Sequence, residues 1–121
     1  MANTFKTVTF AAEPASSGTP YIMYTVANST TTVVLGLILT NIHTSAVTVE
    51  VELNSDTANR AGANNVANGI SFLVKDVTIP AGSSLELLSG GKVVLEATDA
   101  LRVDCSVADK LSGTLSIMEI T

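Results

Sequence analysis

The sequence has few of the side chains that catalysis and metal binding use. Its 121 residues include one His (His43), one Cys (Cys105) and no Trp. A lone Cys cannot form a disulfide within the chain, which fits a reducing compartment. One His and one Cys also fall short of the ligand set of a structural zinc site. We therefore expect a structural or binding protein without catalytic residues, metal or cofactor, rather than an enzyme.

Positive charge is also scarce. Six Lys and Arg residues are scattered along the chain against eleven Asp and Glu, and the formal net charge is -5. Nucleic-acid binding needs a basic patch that neutralises phosphates, so we do not expect a nucleic-acid partner. The longest apolar run, residues 33–39, is far shorter than the about 20 residues of a membrane-spanning helix. The N-terminus lacks the layout of a signal peptide, so we expect synthesis in the cytosol and no membrane association.

Segments rich in Val, Leu and Thr fill the chain, separated by Gly, Pro, Ser and Asn. Turn residues recur about every eight to twelve positions, and no segment has a convincing helical period. This spacing predicts an all-β fold of about eight or nine short antiparallel strands, as a β-sandwich, a jelly roll or a small barrel. The length fits one domain, with residues 21–121 as the sandwich and residues 1–20 as an N-terminal strand or arm with a linker.

Residues 31–42 form the strongest predicted strand, and both of its faces are apolar. Simple alternation places Val34 and Ile38 on one face and Val33 and Leu37 on the other. A strand with one wet face alternates polar and apolar residues, so we expect another element or subunit to cover the second face. A helix is the competing interpretation, but β-branched residues favour a strand. Residues 46–53 alternate strictly and are predicted to form a hairpin with residues 31–42.

Residues 54–69 break the strand pattern. The segment is rich in Asn, Ala and Gly and is longer than most loops. Long loops are typically functional, interface-forming or disordered, so we expect an exposed loop with at most a short helical turn. Its candidate contact residues are Asn59, Arg60, Asn64 and Asn65.

Two acidic residues raise an alternative of another class. Glu50 and Glu52 share one face of a predicted strand, about 7 Å apart. Paired carboxylates can hydrolyse glycosidic bonds, so a small carbohydrate-binding or hydrolytic sandwich is the alternative function. Sugar binding also needs stacking aromatics, and aromatic residues make up only 4% of the chain. A solvated strand face is therefore the favoured interpretation of both residues, and Cys105 is predicted to be a buried thiol among apolar neighbours.

Several segments together resemble a known family of proteins. They are Tyr24-Thr25-Val26, residues 29–37 with Thr40-Asn41, the Ala-Val-Thr-Val segment at 46–49, the Pro-Ala-Gly-Ser-Ser-Leu turn at 80–85, the Val-Leu-Glu-Ala segment at 94–97 and the C-terminal strand at 115–120. Over roughly residues 21–121 the chain resembles small virion structural proteins of tailed bacteriophages, particularly the marine cyanophage type. The resemblance implies a β-sandwich assembled on a virion, and it supplies no catalytic residues.

Within such a virion, the small all-β chain, the strand that is apolar on both faces and the possible N-terminal arm lead us to expect a phage capsid decoration (cement) protein that binds the head lattice as a homo-oligomer. Its partners would be the major capsid protein or other virion proteins, and its location the virion. A tail, neck or fibre-associated module is the second expectation for the same particle. Truncation of residues 1–10 is expected to abolish capsid binding and to leave the fold intact. The candidate interface residues are Phe5, Val8, Phe10, Val34 and Ile38, together with the four loop residues at 59, 60, 64 and 65.

Overall fold

The chain folds as an all-β protein, as predicted. The computed structural model describes residues 2–55, 69–88 and 91–121, and within these ranges it has nine strands and no helix. The strands are β1 (Asn3–Glu13), β2 (Tyr21–Thr25), β3 (Thr31–Asn41), β4 (Val47–Ser55), β5 (Gly69–Ile79), β6 (Ser84–Leu87), β7 (Val93–Leu95), β8 (Ala100–Cys105) and β9 (Leu111–Ile120).

The strands form two antiparallel sheets that face each other. The five-stranded sheet has the order β1-β9-β3-β6, and β7 also pairs with β3. The four-stranded sheet has the order β2-β8-β4-β5. On the side of β3 away from β9, β7 pairs with residues 32–34 and β6 with residues 37–40. Strands β6 and β7 therefore share one strand position in the sheet.

The strand order is that of a jelly roll. Strand β1 pairs with β9, β2 with β8, β3 with β6 and β7, and β4 with β5, so the first half of the chain pairs in reverse order with the second half. Such nested pairs arise when one long antiparallel hairpin is rolled into two facing sheets, the arrangement of jelly-roll domains. Of the three predicted architectures, the described strands therefore form the jelly-roll sandwich and not a small barrel.

The core lies between the two sheets, where alternate residues of the central strands meet. In β4, Val47, Val49 and Val51 are buried, which confirms the alternation predicted for this strand. Cys105 is buried beside Val103 on β8, as predicted, and burial raises the pKa of its thiol. A thiol with a raised pKa is a poor nucleophile, so Cys105 serves as a small apolar core residue.

A β-bulge in β3 corrects the faces predicted for this strand. The register with β9 shifts between Val34 and Gly36, so Leu35 is an extra residue. One extra residue reverses the alternation that follows it, because side chains in a strand alternate with a period of two. Val34 therefore points into the core with Leu37, while Ile38 points outward. The glycine at the bulge was the available signal, since glycine inside a strand often marks one.

The predicted hairpin between residues 31–42 and 46–53 is wrong. Strand β3 lies in the five-stranded sheet, whereas β4 pairs with β5 and β8 in the other sheet. The buried Asn41 side chain organises the crossing. Its Nδ2 donates to the carbonyl oxygens of Ser45 and Ile79, both at 2.9 Å, and its Oδ1 accepts from the backbone N–H of His43 at 2.7 Å. These bonds turn the chain out of one sheet and into the other.

The N-terminal segment is a strand of the sandwich. Strand β1 pairs with β9 from Asn3 through Phe10, with a shift only between Phe10 and Glu13. The Phe10 ring lies over Gly113 and packs against Tyr21, with ring centroids 5.3 Å apart. The end of β1 is therefore part of the core, so truncation of residues 1–10 is not expected to leave the fold intact.

Candidate interaction surfaces

The structure distributes the predicted interface residues between the core and the surface. Phe10 and Val34 are buried inside the sandwich, which corrects their assignment to a surface interface. Phe5 is 72% exposed and Ile38 44% exposed, so both are accessible to a partner. Val8 is half-buried. The loop contacts predicted at residues 59, 60, 64 and 65 lie outside the described residues.

The outward side of the five-stranded sheet, here called the broad face, carries an apolar row across the sheet. Phe5 on β1 pairs with Met118 on β9, Met118 with Val33 on β3, and Val33 with Val94 on β7. Directly paired residues of antiparallel strands share one face, so these four side chains are neighbours. Phe5 and Val94, at the two ends of the row, are 72% and 57% exposed. Sequence analysis missed Met118, Val33 and Val94, because the row exists only through pairing between strands.

A shallow hollow adjoins this row on the broad face. It has a volume of about 310 Å³ and is lined by residues 35–38 of β3 together with Glu86, Thr114 and Ser116. On the far side of the hollow, a second outward row consists of Thr9, Thr114, Ile38 and Glu86. Among the outward positions that the described pairings define, Glu86 is the one charged residue. The broad face therefore combines apolar side chains and small hydroxyls with very little charge.

The outward side of the four-stranded sheet, here called the opposite face, differs sharply in charge. Its central row is Ile22, Arg102, Glu52 and Phe72. Arg102 Nη2 lies 2.8 Å from Glu52 Oε1, and Glu52 is only 6% exposed although it points outward. Next to this row, Lys75 Nζ contacts Glu50 Oε1 at 3.0 Å and lies 4.6 Å from the centre of the Phe72 ring.

These ion pairs bear on the predicted carboxylate pair. Glu50 and Glu52 share one face as expected, but each is held by a different basic residue, Lys75 or Arg102. Glu50 lines a polar hollow of about 210 Å³ with Asp76 and Asp104. The described residues that line this hollow include no aromatic ring on which a sugar could stack, and in the described part of the chain no group of acidic, His or Cys residues is placed to hold a metal. None of the described segments is a helix long and apolar enough to cross a membrane.

A polar cluster joins the two sheets at one end of the sandwich. The Tyr24 hydroxyl on β2 donates to Glu119 Oε2 on β9 at 2.6 Å and lies 2.8 Å from Thr32 Oγ1 on β3. Lys6 Nζ contacts the other carboxylate oxygen of Glu119 at 2.7 Å. Burial, followed by the bond to Glu119, raises the pKa of Tyr24 to about 12. The bonds from Lys6 and Tyr24 lower the pKa of Glu119, so the stability that this carboxylate adds is lost as the pH falls through its lowered pKa.

We expect Tyr24→Phe to lower the free energy of unfolding at neutral pH, and we expect this effect to disappear at strongly alkaline pH. Because the folded state raises the pKa of Tyr24 from 10.0 to about 12, its contribution is complete below pH 10 and is lost as the pH rises through about 12. The stability difference between the wild type and Tyr24→Phe should be about 2 kcal/mol at neutral pH and should shrink towards zero by pH 12. Urea unfolding of both chains from pH 7 to 12 measures this difference, and a constant difference would contradict the prediction.

Comparison with known proteins bears on the fold. No protein-family model and no curated protein matches the chain. Among solved structures the chain is similar to one from a crystal structure of the T13 IBDV viral particle, described as a missing link in the evolution of icosahedral viruses. The match has a TM-score of 0.54 and 10% identity, and it covers 97% of this chain but only 30% of that one. At this identity the likeness concerns the fold alone: the fold of this chain is similar to that of a part of the viral particle chain.

Proposed function

We propose that the chain is a virion structural protein of a tailed phage, and most specifically a capsid decoration protein. The observation that carries this proposal is the nested strand order, since the jelly roll is a common architecture of capsid domains. Likeness to a viral particle chain along 97% of the sequence supports the same class of function. One fold hosts many functions, so the assignment to decoration depends on the surface rather than on the fold.

The broad face is the proposed contact with the shell. Its row of Phe5, Met118, Val33 and Val94 offers apolar area with almost no charge to desolvate. Apolar area removed from water contributes about 25 cal/mol per Å², whereas a desolvated and unpaired charge opposes binding. A protein that binds only the assembled lattice stabilises it by mass action, and repeated copies multiply this effect. The partner in this proposal is the major capsid protein, and the location is the virion.

The number of copies per particle tests the proposal. Quantitative mass spectrometry of purified virions would compare this chain with the major capsid protein. Decoration predicts a copy number similar to that of the shell subunit. A few copies per particle would instead support a tail, neck or fibre module, and absence from the particle would overturn the virion role.

A matched pair of surface variants tests the broad face. Val94→Glu places a charge in the apolar row, and we expect it to weaken binding to purified capsids at least about tenfold, since a charge is costly to desolvate. Ile22→Glu is the control, because Ile22 is 54% exposed, close to the 57% of Val94, but lies on the opposite face. Co-sedimentation with capsids measures both. Equal binding by the two variants would exclude the broad face as the contact.

A further inference from the structure

Strand β1 is an edge strand with one side open to pairing. The backbone of Ala2 exchanges two hydrogen bonds with Thr121, at 3.2 and 3.0 Å. In an antiparallel ladder such bonded pairs alternate. In this register the even-numbered residues of β1, up to Phe10, therefore form the hydrogen bonds with β9. The odd-numbered residues Asn3, Phe5, Thr7 and Thr9 direct their N–H and C=O groups away from β9. Among the described strands, β9 is the one that pairs with β1.

The other sheet edges are less suited to pairing with a further strand. Strands β6 and β7 have four and three residues, and β2 has five with a register shift. Strand β5 is long, but its ladder shifts twice and Asp76 has a φ of 52°. Short or bulged edges discourage intermolecular pairing. Strand β1, in contrast, keeps an unbroken register from Asn3 to Phe10, and its exposed residues are mostly Thr and Phe, which favour strands.

We propose that β1 pairs antiparallel with β1 of a second copy of this chain, around a twofold axis through Thr7. This register places Thr7 opposite Thr7, Phe5 opposite Thr9 and Lys6 opposite Val8, and it brings the free backbone groups of the odd-numbered residues face to face. A register centred on Lys6 would place two like charges opposite each other, which is destabilising. The two five-stranded sheets then form one continuous sheet.

The composition of the edge supports a second copy as the partner. The chain has a net charge of -5, but β1 carries no carboxylate before Glu13, so two copies approach through an edge that is free of acidic residues. The Lys6 ammonium is already paired with Glu119 at 2.7 Å. An isologous interface needs one self-complementary patch, and an antiparallel edge strand provides one.

Thr7→Pro tests the pairing directly. The Thr7 N–H points away from β9, so proline removes no bond from the β1–β9 ladder but blocks the outer side of the strand. Sedimentation equilibrium of the full chain should show a wild-type dimer whose affinity Thr7→Pro lowers about 100-fold or more. The substitution is present in both copies, so it removes both hydrogen bonds between the two Thr7 residues at the axis. Thr7→Val keeps the N–H and should dimerise like the wild type. A monomeric wild type, or a Thr7→Pro dimer of unchanged affinity, would overturn the proposal.

Charge variants test the same pairing without a change in the backbone, and they remain informative if Thr7→Pro does not fold. Thr7→Lys and Thr7→Glu should each be monomeric, since the residue faces its own copy across the axis. Their equimolar mixture should form a heterodimer, and a mixture that stays monomeric would overturn the register centred on Thr7. These measurements use isolated protein without capsids, so their failure leaves the proposed virion role untouched.

Discussion

Replacement of Phe10 by alanine is expected to lower the free energy of unfolding by about 3–5 kcal/mol, the usual range for a buried Phe→Ala change. The Phe10 ring is 9% exposed, packs on Tyr21 and fills the space above Gly113. Because residue 113 has no side chain, nothing there can relax into the cavity that alanine leaves. Urea unfolding followed by circular dichroism measures the loss. Deletion of residues 2–10 also removes most of the β1–β9 ladder and should abolish cooperative unfolding.

Phe5→Ala is the matched control for Phe10→Ala. Both residues lie on β1, but Phe5 is 72% exposed on the broad face and outside the core. A surface substitution of this kind changes stability by about 0.5 kcal/mol or less. Equal losses for the two variants would mean that β1 is not anchored through Phe10. A small loss for Phe10→Ala would restore the interpretation of the N-terminal segment as a detachable arm.

Arg102→Met is expected to lower the free energy of unfolding by about 3 kcal/mol, because it leaves a buried carboxylate without its partner. Glu52 is 6% exposed, and its Oε1 lies 2.8 Å from Arg102 Nη2. The double variant Glu52→Leu/Arg102→Met removes both charges, so it should return to within about 1 kcal/mol of the wild type or exceed it. Thermal and urea unfolding of the three chains give the comparison.

The neighbouring ion pair is the control for this cycle. Lys75 contacts Glu50 at 3.0 Å, but its side chain is 55% exposed, so Lys75→Met should change stability little. If Arg102→Met lowered the free energy of unfolding as little as Lys75→Met, solvent would have to reach Glu52 in the folded state. If the double variant were as unstable as Arg102→Met, lost packing rather than the unpaired charge would explain the effect.

The sequence alone was sufficient to predict features that depend on residues close to one another along the chain. Alternation over residues 46–53 predicted the buried valines of β4, and the same period placed Cys105 in the core. Turn residues at regular spacing predicted the number of strands, because clusters of Gly, Pro, Ser and Asn favour turns between strands. Local periodicity determines which side of a strand is apolar, since side-chain direction is set by the backbone itself.

Features that depend on partners distant in sequence required the tertiary structure. The β3 bulge placed Val34 in the core and Ile38 outside, because a register shift is defined by the paired strand β9. The hydrogen bonds of Asn41 hold the chain where it crosses from one sheet to the other, at the place where the sequence had predicted a hairpin. The apolar row from Phe5 to Val94 joins residues from four strands. Thus the sequence determined an all-β chain with apolar and polar strand faces, and pairing between remote segments decided which faces became core and which became surface.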